Sequence, residues 1–114
     1  MHISERASGD VMIVDVSGKI TLGDGGDVML KDKIQSLVQQ GFKKVLLNLG
    51  DVSYVDSAGL GEIVHCYATV TNSGGALKLV NMTKRIKDLL SITKLLTVFE
   101  CYDNEAEGIR SFSA

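Results

Sequence analysis

The sequence contains no proline and no tryptophan, only two histidines and two cysteines, and just three Phe and three Tyr. Each scarcity excludes something. Without proline, no helix or strand is broken from within by a missing N–H or a locked φ. With so few rings, the core must be aliphatic, assembled from Val, Leu and Ile. Cys66 and Cys101 lack CxxC spacing and sit among apolar residues, so they read as reduced, buried thiols, which fits a cytoplasmic protein. Charge of one sign is lacking too. Twelve Lys and Arg against 14 Asp and Glu give a net charge of −2, so there is no electrostatic footprint for nucleic acid. The one basic cluster, "TKRIK" from Thr83 to Lys87, reads as a solvated helix face. No apolar run approaches the ~20 residues that cross a membrane. The opening "MHISERASGD" has no apolar stretch of the signal-peptide kind.

What is present is a globular composition: 114 residues, 45% hydrophobic and 23% charged. That predicts one domain, residues 1–114, around one core. Residues 2–8 and 11–17 read as a hairpin of two strands turned by Ser8 to Asp10. "GKITLGDGGD", Gly18 to Asp27, is a loop, with Asp24 or Asp27 placed to cap the next helix. Leu30, Ile34, Leu37 and Val38 line one face of that helix, and Gly41 ends it. "KKVLLNL", Lys43 to Leu49, is a buried strand. From Ser57, a second helix carries Leu60, Ile63, Val64, Tyr67, Ala68 and Thr71 on one face, and stops at Asn72 to Gly75. Ala76 to Val80 is a strand. Thr83 caps a third helix with Ile86, Leu89 and Leu90 inward. Thr97 to Tyr102 is a last strand. Asp103 to Phe112 forms a short helix anchored by Ala106, Ile109 and Phe112.

The order β-β-α-β-α-β-α-β-α predicts an α/β fold: a mostly parallel sheet of about five strands, an antiparallel N-terminal edge strand and about four helices. Loops leaving the carboxyl ends of parallel strands gather along one edge, where ligands and partners dock. Ile20 to Gly26, Asp51 to Ser57, Asn81 to Lys84 and Tyr102 to Asn104 should meet there.

The chemistry-bearing stretch on that edge is "YVDSAGLGEI", Tyr54 to Ile63. Ser57 follows a strand and opens a helix, as a nucleophile elbow would. But Val55 stands where that motif needs glycine. A triad also needs a histidine from another element. His65 lies on the same helix, ~12 Å along at 1.5 Å per residue, and His2 is on the terminal strand. "GLGEIV" lacks the third glycine of a dinucleotide loop, and "GDGGD" carries acids where a phosphate loop carries lysine. No His/Cys pair has metal-ligand spacing, and the loop aspartates read as turn formers and caps. No catalytic residue, metal or cofactor is therefore expected. Two readings of Ser57 remain: a helix cap, or a hydroxyl that another protein modifies, since a helix N-terminus tolerates a phosphate. Gly59 and Gly61 each weaken the helix start by up to ~1 kcal/mol relative to Ala. The sequence offers no packing reason for that, and clearance for an approaching active site is the alternative.

At this point a resemblance bears on the choice. "VSYVDSAGLGEIV", Val52 to Val64, resembles the signature of the STAS domain of bacterial anti-sigma factor antagonists, an Asp-Ser pair, a small residue, then Gly-Leu-Gly. Asp56, Ser57, Ala58, Gly59, Leu60 and Gly61 match it; Ala58 departs mildly, since many members have a second serine there. The opening hairpin, "SGKITLGDG" and the stretch from Leu77 to Ile109 are similar to the family as well. The resemblance implies a non-enzymatic partner switch. Such a protein binds an anti-sigma factor that is also a serine kinase and so frees a sigma factor. The kinase phosphorylates the residue matching Ser57 with its own ATP and Mg²⁺, and a PP2C-type phosphatase resets it. Asp56 would orient the serine, contact the kinase or simply form the turn, and Leu60 would belong to the docking face or the core. Thr21, Asp24 and Thr83 would lie on neighbouring loops at the same interface. Thr21, read as an exposed hydroxyl, would be a candidate second phosphorylation site. The alternative within the family is a STAS subunit of another assembly, a stress-sensing scaffold or a lipid transport complex.

Overall fold

The computed structural model describes residues 1–113. The chain forms β1 (His2–Ser8), β2 (Val11–Ile20), α1 (Gly26–Gln39), β3 (Lys44–Val55), α2 (Ser57–Asn72), β4 (Ala76–Val80), α3 (Lys84–Ile92), β5 (Cys101–Tyr102) and α4 (Glu105–Ser111). The five strands lie in sequence order. β1 is antiparallel to β2, and β2 to β5 are parallel. This is the α/β architecture that the alternation of elements predicts, because each parallel pair needs a helical crossover.

The sheet is covered unequally. On one face, Val14, Val16, Val45, Leu47, Leu77 and Leu79 pack against Leu30, Ile34 and Leu37 of α1, Ile63, Cys66 and Val70 of α2, and Ile86 and Leu90 of α3. On the other, among the described residues, Val11, Ile13, Leu46 and Val80 pack with Ile109, Phe112 and Tyr102. That second face also holds Lys78, which is buried. Its ammonium donates to Ser111, pairs with Glu100 and lies 4.5 Å from the Phe112 ring centre.

Several boundaries differ from the sequence expectation. β2 runs on to Ile20 and β3 to Val55, absorbing segments expected as loop and turn. The two keep pairing through register shifts between Asp15 and Ser17 and between Gly18 and Lys19. Such bulges break the alternation of side chains, which is why Val52 and Val55 are buried while Ser53 and Tyr54 are exposed. The last strand shrinks to Cys101–Tyr102. The chain leaving α3 turns tightly, with Lys94 at φ 60° and Val98 N–H donating to Leu95 O, so only Phe99 is buried before the strand begins. In α4, Ala106 is exposed and anchors nothing.

The inward stripe of α2 is Gly59, Ile63, Cys66 and Val70, with Leu60, Val64 and Tyr67 half-buried and Thr71 exposed. A count of apolar side chains does not see that a glycine can be the innermost contact, and so it rotates the face. α1 buries Leu30, Ile34 and Leu37 as expected, and Val38 packs beside them. Neither Asp24 nor Asp27 caps it: the N-cap is Gly25, at φ 70°, with no side-chain bond. Both cysteines are free thiols.

Candidate functional site

The site is built where β2 and β3 outrun β4. Pairing between β3 and β4 ends at Asn48 with Val80, whereas β3 and β2 remain paired to Val55 and Ile20. The end of this two-stranded extension carries the Thr21–Gly25 loop on one strand and Asp56–Ser57 on the other. Asn48 supports its base: its amide donates to Asp15 Oδ1 at 2.8 Å, and its carbonyl accepts from Gly50 N–H and from the Asn81 amide.

Asp56, not Ser57, is the N-cap of α2. Its backbone is extended, and its Oδ1 accepts from Gly59 N–H at 2.8 Å. The expectation that Ser57 caps the helix is corrected by one position, because Asp56 is the last residue with strand-like φ and ψ. Asp56 Oδ2 accepts from Leu22 N–H at 3.1 Å, and Asp56 N–H donates to Ile20 O at 3.3 Å. The amides of Gly59 first, then Leu22 and Ala58, hold its carboxyl below the usual carboxylate range, against a weaker opposing push from desolvation. Ser57 is thus the first helical residue, exposed, at the positive end of a 16-residue helix.

The two glycines that follow do different things. A Cβ on Gly59 would stand 1.9 Å from Ile20 O and 2.8 Å from its carbonyl carbon. Gly59 therefore has the packing reason that the sequence did not reveal: it lets α2 lie directly on the end of β2. Gly61 has nothing within 4 Å of its would-be Cβ, and it faces solvent four residues after Ser57, on the same side of the helix. Clearance beside the serine is supplied by Gly61 alone.

The remaining expected residues divide. Asp24 belongs to the loop beside Ser57, but its Oδ2 accepts from Thr21 Oγ1 at 2.8 Å, and its N–H donates back to that hydroxyl. Thr21 is only 8% exposed, so it is not the free loop hydroxyl expected from the sequence. Thr83 accepts from Ile86 N–H at 3.3 Å and caps α3. Leu60 and Ala58 are half-buried, with Leu60 against the core. His65 pairs with Glu62 at 3.2 Å, two turns along α2 from the serine.

Sequence reasoning missed the apolar rim of this edge. Leu22 is 67% exposed and Tyr54 44%. An open groove of about 510 Å³ runs between the end of β3 and α3, lined by Tyr54, Val55, Lys84, Arg85, Leu89 and Ile92 among others. Leu22 had a signal, as a large apolar residue alone in a Gly- and Asp-rich loop. Tyr54 did not, because its outward direction comes from the bulge.

Comparison with known proteins bears on the family and the fold. The family model of the STAS domain matches residues 2–108. The anti-sigma-B factor antagonist of Bacillus subtilis is 33% identical over 97 residues, which cover 85% of this chain and 86% of that one. Among solved structures, tm1081 of Thermotoga maritima, provisionally described as an anti-sigma factor antagonist, superposes with a TM-score of 0.90 at 25% identity, covering 98% and 95% of the two chains. The Bacillus cell fate determinant SpoIIAA in its phosphorylated form gives 0.74 at 16% identity, with 97% and 99% covered, a likeness of fold alone. By its family-model match over nearly its whole length, this chain belongs to the STAS domain family.

Proposed function

We propose that this protein is an anti-sigma factor antagonist, a non-enzymatic partner switch controlled by phosphorylation of Ser57. The observation that carries the reading is the division of labour at the start of α2. Asp56 fills the cap, so the exposed Ser57 side chain is free for modification without unpinning the helix. The relatives named as anti-sigma factor antagonists support the same reading.

In this reading the unmodified edge binds an anti-sigma factor that is a serine kinase and displaces a sigma factor from it. The kinase moves the γ-phosphoryl group of ATP to Ser57 Oγ, releasing ADP. A PP2C-type phosphatase later hydrolyses the ester to serine and inorganic phosphate. The phosphate adds about −1.5 to −2 charges at pH 7. Within the fold, the N-terminal end of α2 offsets part of that charge. At the interface Asp56 and Asp24 flank the new charge, Lys84 and Arg85 lie across the groove beside Tyr54, and a partner must desolvate the dianion beside Leu22 and Tyr54. Asp56, Ala58, Leu60 and Gly61, with the Thr21–Asp24 loop and Thr83, form or support the docking edge, and Gly59 sets its spacing.

The test is incubation with the cognate kinase and ATP, followed by mass-spectrometric mapping. The expected outcome is one phosphate, on Ser57. Ser57→Asp should lower affinity for the kinase more than a hundredfold, about 3 kcal/mol, with little change in thermal stability. Phosphate elsewhere, or none, would sink the reading and leave the STAS-scaffold alternative. A large loss of stability with binding retained would refute repulsion at the interface as the mechanism.

A further inference from the structure

We propose that Asp56 is the positioning residue of this switch: its carboxylate ties the Thr21–Gly25 loop to the first turn of α2 and so holds Leu22 as an apolar docking point beside the Ser57 hydroxyl. The inference rests on the proposed function and adds to it a residue role and a contact for the kinase.

An N-cap needs one oxygen, and Asn or Ser serves about as well as Asp. Asp56 uses two. Oδ1 serves Gly59 N–H within α2, while Oδ2 reaches Leu22 N–H, 34 residues earlier in the chain. Asp56 N–H adds a third tie, to Ile20 O. The loop is also closed on itself, by the Thr21–Asp24 hydroxyl–carboxylate bond and by Gly25 N–H donating to Leu22 O at 3.2 Å and Gly26 N–H to Thr21 O at 3.1 Å. The only large side chain this construction presents is Leu22, which stays 67% exposed. A loop ordered before contact spares the complex the ordering cost, and a leucine gains most when the partner covers it. The occupant is the serine kinase of the proposed function, because an enzyme that reaches Ser57 meets the exposed Leu22, which the neighbouring Asp56 carboxylate holds at the same edge. One residue therefore places both the acceptor hydroxyl and the anchor that guides the kinase to it.

Asp56→Asn and Asp56→Ser each keep an oxygen for Gly59 and lose the one for Leu22. In the free protein, the Leu22 amide should exchange with solvent about tenfold faster or more, as a local opening does, with the amides of the first turn of α2 unchanged. In steady-state phosphorylation by the cognate kinase, both variants should raise KM about tenfold, the scale of ordering a short loop, at unchanged kcat. Leu22→Ala, an exposed change that leaves the fold intact, should raise KM alike. Combined with Asp56→Asn it should add nothing further, because one contact is removed twice. A Leu22 amide as protected in both Asp56 variants as in wild type overturns the tie. A KM that does not move, or effects of Leu22 and Asp56 that multiply, overturn the docking role. If wild type takes no phosphate on Ser57, the proposed function fails and the docking role falls with it, while Leu22 amide exchange still reports whether Asp56 holds the loop.

Discussion

Replacing Gly59 by alanine tests the packing on which the whole edge depends. The new methyl would stand 1.9 Å from Ile20 O, 2.8 Å from its carbonyl carbon and 2.9 Å from Ile20 Cγ2. Two of these three atoms are backbone, at the end of a strand whose last residue is fully buried. No rotamer relieves the overlap. α2 must move away from β2 by more than about 1 Å to reach ordinary van der Waals separation. Overpacking of this kind costs about 1–3 kcal/mol, and the strained hydrogen bond at Ile20 O about 1 more. Alanine's better helix propensity returns about 1. The net expectation is a destabilisation of about 2 kcal/mol. Gly61→Ala is the control: the same exchange two residues on, in open space, should stabilise by up to about 1 kcal/mol. For a domain of this size each kcal/mol moves Tm by roughly 4–6 °C. The two variants should then differ by more than about 10 °C, read by calorimetry or circular dichroism, with urea unfolding to confirm equal m-values. If Gly59→Ala melts within 2 or so degrees (about 0.5 kcal/mol) of Gly61→Ala, the close contact between α2 and Ile20 does not exist.

Acid unfolding should report the polar network on the open face of the sheet. Arg6 donates to both oxygens of Asp15, and Asn48 donates to one; these bonds, Arg6 foremost, hold the Asp15 carboxyl below its usual range against desolvation. A depressed folded pKa stabilises the protein above the unfolded value near about 3.9 and is lost as pH falls through the folded one. Asp15→Asn should therefore be less stable than wild type at neutral pH, with the gap in urea midpoints closing on acidification below pH of about 4; a gap constant with pH would refute the assignment. The thiols give an independent check on the core. Burial pushes Cys66 well above the ordinary thiol range, helped by the Glu62 carboxylate, and raises half-buried Cys101 as well. A thiol reagent at pH 8 should label Cys66 only as fast as the protein unfolds, and rapid native-state labelling there would contradict the packing of α2.

Legibility in the sequence followed the physics of each signal. Thr83 was readable as the cap of α3, Gly41, at φ 92°, as the end of α1, and the stretch Asn72 to Gly75, in which Gly74 takes φ 88°, as the end of α2, because caps and left-handed glycines are local requirements. Leu30, Ile34 and Leu37 were readable as core by helical spacing. The differences fall where the folded backbone, rather than residue type, decides. β5 is shorter than the strand composition of Thr97 and Val98 predicts, because the turns after α3 hold them outside the sheet. Thr21 looked like a free hydroxyl because nothing in its neighbours announces that it is buried and bonded to Asp24. Ser57 and Asp56 are both good caps by type. Only the backbone angles, fixed by pairing of β3 with β2, choose the aspartate.

By itself, the sequence determined the alternation of strands and helices, the mostly parallel sheet that follows from it, the aliphatic core, and the serine that opens a helix at the sheet's carboxyl edge. Those properties rest on composition, periodicity and chain connectivity. The tertiary structure decided the rest of the site. It made Gly59 a contact with Ile20 and Gly61 the clearance beside Ser57, and it turned Asp56 from a neighbour of the serine into the tie that holds Leu22. The roles of Gly59 and Asp56 depend on two segments more than 30 residues apart meeting at hydrogen-bond or van der Waals distance, the role of Gly61 on no segment meeting it, and no local pattern records either.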